Sequence, residues 1–80
     1  MPDVPKEARS EASKTFGERV RARRQELGQS QEKLAEGTDL HWSFVGRIER
    51  GQANVTLRTI IRLGEVLDID PGELVKGLHS

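Results

Sequence analysis

Apolar residues in this chain recur every third or fourth position over short stretches, and polar or glycine-bearing breaks separate the stretches. That period lines side chains along one face of a helix. The first stripe is Phe16, Val20 and Leu27. Ahead of it, Thr15-Phe-Gly-Glu18 has the form of a capping box, so a first helix is predicted from about Phe16 to Leu27, with Gly28 as its stop. Ser30 is a good N-cap for a second helix, about Gln31 to Glu36, with Leu34 and Ala35 facing inward. Gly37-Thr-Asp39 breaks the pattern, and a third helix follows from His41 to Arg50, ended by Gly51. Thr56 caps a fourth, about Leu57 to Leu67, whose core arc takes Leu57, Ile60, Ile61, Gly64 and Leu67. Asp70-Pro71 is an N-cap with proline at the first helical position, opening a short fifth helix with Leu74, Val75 and Leu78. No stretch alternates as a strand does, so the fold class is all-α.

The third helix carries the chemistry. With Trp42 set at 0°, Gly46, Arg50, Ser43 and Arg47 fall at about 40°, 80°, 100° and 140°, and Phe44, Ile48 and Val45 at about 200°, 240° and 300°. One side is apolar and is expected to be buried. The other holds an aromatic, a hydroxyl, two arginines and a glycine, with Glu49 at the seam. Trp42 falls outside the 200–300° arc of Phe44, Ile48 and Val45 and is therefore expected at the surface.

Eighty residues are room for one domain with a modest core. Residues 1–14 read as a mobile arm, 15–76 as the domain and 77–80 as a tail. With Met1 at the start and no second domain, the protein is expected to act alone or with a separate partner. There is no Cys and only two His, which excludes disulfides, thiolate metal sites and zinc fingers; no metal or other cofactor is expected. No apolar run approaches the roughly 18 residues that would span a membrane, and Met1-Pro-Asp-Val-Pro-Lys has no signal-peptide core, so a cytoplasmic location and no membrane partner are expected. Carboxylates and serines are scattered without a paired acid and base or a nucleophile beside a His, so no catalytic site is expected. Net charge is zero, 13 basic against 13 acidic, but it is unevenly spread. Residues 19–24 hold four arginines and no acid; residues 63–80 hold four acids and one lysine. Such polarity directs one face toward phosphates and leaves the other for a protein. Arg19, Arg21 and Arg23 alone read equally well as a solvated helix face.

Helices 2 and 3 have the spacing of a helix-turn-helix, with Ala35 at the crossing and Leu34, Leu40, Val45 and Ile48 to lock it. In order, "RVRARRQELGQSQEKLA", "HWSFVGRIERG" and "NVTLRTIIRLGEVLDIDPGEL" resemble the phage repressor/Cro-like (XRE-type) DNA-binding family over roughly residues 16–75. The resemblance implies a five-helix lambda-repressor-like domain that binds double-stranded operator DNA as a homodimer and regulates transcription in a bacterium or phage. It implies base contacts from Gln31, Trp42, Ser43 and Arg47, and phosphate contacts from Arg21, Arg24, Ser30, Arg50 and Asn54. It also implies an ion pair between Arg24 and Glu49 that joins helix 1 to helix 3. Two positions depart from the family pattern. Asp39 stands where the turn is often glycine, and Asp tolerates the left-handed conformation better than most residues. Trp42 stands where smaller polar residues are common. Three sub-classes stay open: an autonomous repressor, a controller of a restriction-modification operon, and an antitoxin with a toxin partner. The rival class is a protein-interaction module on the same scaffold, favoured by zero net charge and Trp42. Leu63, Val66, Val75 and Leu78 are left over from the core pattern and are expected to form the dimer interface.

Overall fold

The computed structural model describes residues 10–79. Residues 1–9 of the expected arm, and Ser80 of the tail, lie outside the described residues. Five helices follow in order: α1 (Glu11–Glu26), α2 (Gln31–Thr38), α3 (Trp42–Glu49), α4 (Leu57–Val66) and α5 (Pro71–Val75). No strand occurs among the described residues.

Each helix begins at a side chain that takes up an otherwise unpaired backbone N–H. Ser30 accepts from the Lys33 N–H at 3.0 Å, Thr56 from that of Thr59 at 3.1 Å, and Asp70 from that of Gly72 at 2.8 Å. The first helix departs from the expected start. Its cap is Ser10, which accepts from Ser13 N–H at 3.0 Å, and Thr15 sits inside the helix. The extra turn brings Ala12 and Ser13 to a groove shared with Phe16, Val75 and Leu78. Two left-handed residues set the connections that matter for α2 and α3. Gly28 (φ 69°) closes α1, and Asp39 (φ 59°, ψ 35°) closes α2, so the turn survives without glycine. Thr38 is buried there, its hydroxyl satisfied by the Leu34 carbonyl at 2.7 Å.

The core gathers Phe16 and Val20 of α1, Leu34 and Ala35 of α2, Val45 and Ile48 of α3, Ala53 of the following loop, Leu63 of α4, then Leu67 and Leu74. Gly17 decides how α1 meets α3. A Cβ there would overlap the Ile48 carbonyl oxygen and lie 2.8 Å from that of Glu49. Only a residue without a side chain lets α1 rest on the C-terminal carbonyls of α3.

The rotation of α4 differs from the expected one. Leu63 is fully buried, so it belongs to the core and not to a dimer interface. Val66 is half-buried, and a Cβ on Gly37 would lie 2.9 Å from its Cγ1, so it packs on α2 instead of facing outward. Leu78 is also half-buried against the core. The residues actually presented are Leu57, 73% exposed, and Ile61, 42% exposed, together with Val75 of α5. Periodicity fixed the relative angles correctly. It placed the inward arc about one residue too far round: Leu63, Gly64 and Leu67 are buried with Ile60 packed beside them, while Leu57 and Ile61 turn outward.

Candidate nucleic-acid interface

α3 buries Val45, Gly46, Ile48 and Glu49 and presents Trp42, Ser43 and Arg47. Trp42 is 57% exposed, and its indole stacks on the His41 ring with centroids 5.7 Å apart and planes 29° apart. His41 is the N-cap: its Nδ1 accepts from the Ser43 N–H at 3.1 Å and lies 2.7 Å from the Ser43 hydroxyl. The Arg47 guanidinium lies 5.9 Å from the centroid of the half-buried Phe44 ring, at the outer limit of a cation–π contact, and its head stays exposed.

The one acid of this helix is turned away from the exposed face. Glu49 receives Arg24 Nε at 2.6 Å and Nη2 at 2.9 Å, and the Gln31 amide at 3.0 Å. Arg24 also donates to the Gln29 carbonyl at 2.8 Å. Their side chains are 12% and 2% exposed. The hydrogen bonds to Glu49 raise the Arg24 guanidinium above its ordinary value; burial opposes them, and the Glu49 charge adds to them. Three of the five N–H donors of Arg24 are thus engaged within the protein. That geometry withdraws Arg24 from the expected phosphate ligands and leaves it the role of tying α1 to α3.

Gln31 stands at the first position of α2 and reaches the same spot from the other side. Its amide nitrogen is engaged by Glu49, and its Oε1 lies 3.7 Å from where a Cβ on Gly46 would be. The Arg50 Nη1 lies 3.0 Å from that same point, so Gly46 lets the guanidinium fold over the helix. Arg50 Nε donates to Gln52 Oε1 at 3.1 Å. Gln52 was not foreseen as part of this surface; its only signal in the sequence is its place just beyond Gly51. Ser30 and Asn54 are exposed at the edges, the former already capping α2.

The arginine run of α1 divides sharply. Arg19 donates to the carbonyls of Leu74 (3.2 Å) and Lys76 (2.7 Å) at the end of α5. Arg23 donates to those of Leu67 (2.8 Å) and Asp68 (3.0 Å) at the end of α4. Both satisfy carbonyls that their own helices leave unpaired, where a positive charge is favourable. Arg19 and Arg23 are therefore not the solvated face that the charge run alone would suggest. Arg21 alone of the run is exposed with no protein partner among the described residues.

No cluster of His, Asp or Glu suited to hold a metal occurs among the described residues. No described helix is long and apolar enough to cross a membrane.

A family model described as helix-turn-helix (HTH_3) matches residues 20–74. The control protein C.BamHI of Bacillus amyloliquefaciens is 41% identical over 61 residues, which are 75% of this chain and 75% of that protein. The crystal structure of the restriction-modification controller protein C.AhdI from Aeromonas hydrophila superposes with a TM-score of 0.74 at 49% identity, covering 76% of this chain and 92% of that one. SinR, the master regulator for biofilm formation solved in complex with DNA, gives a TM-score of 0.72 at 31% identity, covering 76% and 98% of the two chains.

Proposed function

Because the chain belongs to the HTH_3 helix-turn-helix family, the XRE-type DNA-binding transcription regulators, we propose that it binds operator DNA as a homodimer through α3 and acts as a controller of a restriction-modification operon. The observation that carries the DNA reading is the disposal of Glu49. With that acid buried against Arg24, the outer face of α3 holds Trp42, Ser43, Arg47 and the flanking Arg50, and no negative charge. Such a helix fits a major groove about 12 Å wide, where side chains distinguish all four base pairs. Arg47, Ser43 and Trp42 face the bases; the Gln31 carbonyl oxygen, beside Gly46, joins them. Arg21, Arg50, Ser30 and Asn54 flank them and hold phosphate, which sets register without reading sequence. The controller assignment is supported by C.BamHI and C.AhdI, both named as control proteins.

The second copy meets the surface that α4 and α5 leave uncovered, Leu57, Ile61 and Val75. Ile60 and Val75 line one groove, and Leu57 and Ile61 lie within about 100° of Ile60 on the same helix, so the strip is continuous. A dimer joined there keeps both α3 helices free for half-sites about 34–36 Å apart. This is a binding protein and not an enzyme. A second reading, a protein-interaction module such as an antitoxin, is favoured by the exposure of Trp42.

A gel-shift on the DNA upstream of the chain's own reading frame, against random DNA of equal length and at two salt concentrations, separates the two. Preferential binding that survives the higher salt is expected. Equal binding to both DNAs, abolished by salt, would overturn operator recognition.

A further inference from the structure

We propose that His41 fixes Ser43 as a hydrogen-bond acceptor toward DNA, so that the base facing Ser43 is read for an exocyclic amino group. A backbone N–H can only donate, and the Ser43 N–H points at His41 Nδ1 at 3.1 Å. Nδ1 therefore carries a lone pair, and in the neutral ring the proton is on Nε2. The Ser43 hydroxyl lies 2.7 Å from that same lone pair. Two lone pairs at this distance repel, so the hydroxyl donates its only proton to Nδ1. What remains for a ligand is the acceptor side of Ser43 Oγ.

An unrestrained serine serves as donor or acceptor and contacts either kind of base edge. This one does not have that freedom. In the major groove, adenine presents N6–H₂ and cytosine N4–H₂, whereas guanine and thymine present O6 and O4. An acceptor-only Ser43 matches adenine or cytosine and sets lone pair against lone pair at guanine or thymine. The Trp42 stack keeps the His41 ring in place, which gives the exposed tryptophan a positioning role beside any contact of its own. His41 is thus a positioning residue for specificity, acting through Ser43.

The inference rests on α3 entering the major groove, and its test separates the two. In the free protein, the imidazole ¹⁵N shifts of His41 are expected to show the Nε2–H tautomer; the Nδ1–H tautomer would overturn the proposal without reference to DNA. Binding is then compared across operators altered at each base pair, for wild type, Ser43→Ala, His41→Ala and His41→Asn. In wild type, one position prefers adenine or cytosine by about tenfold, near the upper end of a single hydrogen bond's net worth. Ser43→Ala removes that preference and no other. His41→Ala relaxes it to within about threefold, because the freed hydroxyl turns to either edge. His41→Asn retains it, since its carbonyl oxygen is an acceptor that still caps the helix. A preference for guanine or thymine at that position, or one unmoved by His41→Ala while others persist, defeats the His41 proposal alone. Absence of any base preference defeats the groove reading and this inference with it.

Discussion

Removing Arg24 tests the join between α1 and α3. Arg24→Ala takes two donors from Glu49, at 2.6 and 2.9 Å, and leaves the Gln31 amide at 3.0 Å. The Glu49 side chain is 2% exposed, so water does not replace the lost donors without local opening. Breaking a buried pair by removing one partner costs about 3–5 kcal/mol. The remaining Gln31 bond, and the space vacated beside a 12% exposed arginine, bring the expected loss to the lower end, about 3 kcal/mol. A domain of this length has roughly 4–12 kcal/mol in all, so the variant sits near the limit of folding. With a urea slope of about 1 kcal/mol/M, the lower value for small proteins, the midpoint drops by roughly 3 M or the protein is unfolded at the start. The control is Arg21→Ala, an exposed arginine on the same helix, expected within about 0.5 kcal/mol of wild type. The double variant Arg24→Met/Glu49→Leu removes both charges and is expected to recover most of the loss, as apolar replacement of a buried pair often does. Equal midpoints for Arg24→Ala and Arg21→Ala would refute the reasoning.

Gly17→Ala drives a methyl group into the Ile48 and Glu49 carbonyls and is expected to cost at least about 1–3 kcal/mol, read by thermal or urea unfolding; a neutral result would mean that α1 does not rest on α3. Arg47→Ala is expected to lower discrimination between operator and random DNA by about 1–3 kcal/mol, whereas Arg50→Ala weakens binding to both alike; competition gel-shifts reverse the assignment if the two swap behaviour. Ile61→Glu is expected to yield a folded monomer by sedimentation, since Ile61 is exposed, while Val66→Glu destabilises the fold because Val66 packs on Gly37. A dimer unaffected by Ile61→Glu would move the interface elsewhere.

Much of this architecture was legible because three of the five helices announce their start in the residue before them. Ser30, Thr56 and Asp70-Pro71 act where local chemistry places them. α1 escaped because two cap signals overlap: Thr15 with Glu18, and Ser10 upstream. The longer helix wins by bringing Ala12 and Ser13 to the groove with Val75 and Leu78. On α3, angle alone placed Val45 and Ile48 inward and Trp42, Ser43 and Arg47 outward, but not Gly46, which is buried because the Gln31 and Arg50 side chains fold over it. On α4 angle was insufficient, since periodicity does not say which arc turns inward. Least visible were the partners of Arg19 and Arg23. A charge run reads as surface, and the carbonyls that hold these two lie on helix ends far along the chain.

The division of the α1 arginines has a consequence for how tightly the protein holds DNA of any sequence. Each phosphate neutralised releases condensed counterions, and the logarithm of affinity falls with that of salt at about 0.9 per contact. Arg21 and Arg50 are the arginines proposed to hold phosphate, two per protomer and so four in the proposed dimer, for a slope of about −4. Had Arg19, Arg23 and Arg24 also faced phosphate, ten contacts would give about −9. Binding governed by the shallower slope is expected to fall about two-hundredfold between 50 and 200 mM salt, rather than some hundred-thousandfold. With three of these five charges retained inside the fold, the expected general hold on DNA is modest, and a wrong site is left readily. Residence on the right one would then depend on the few groups that α3 presents.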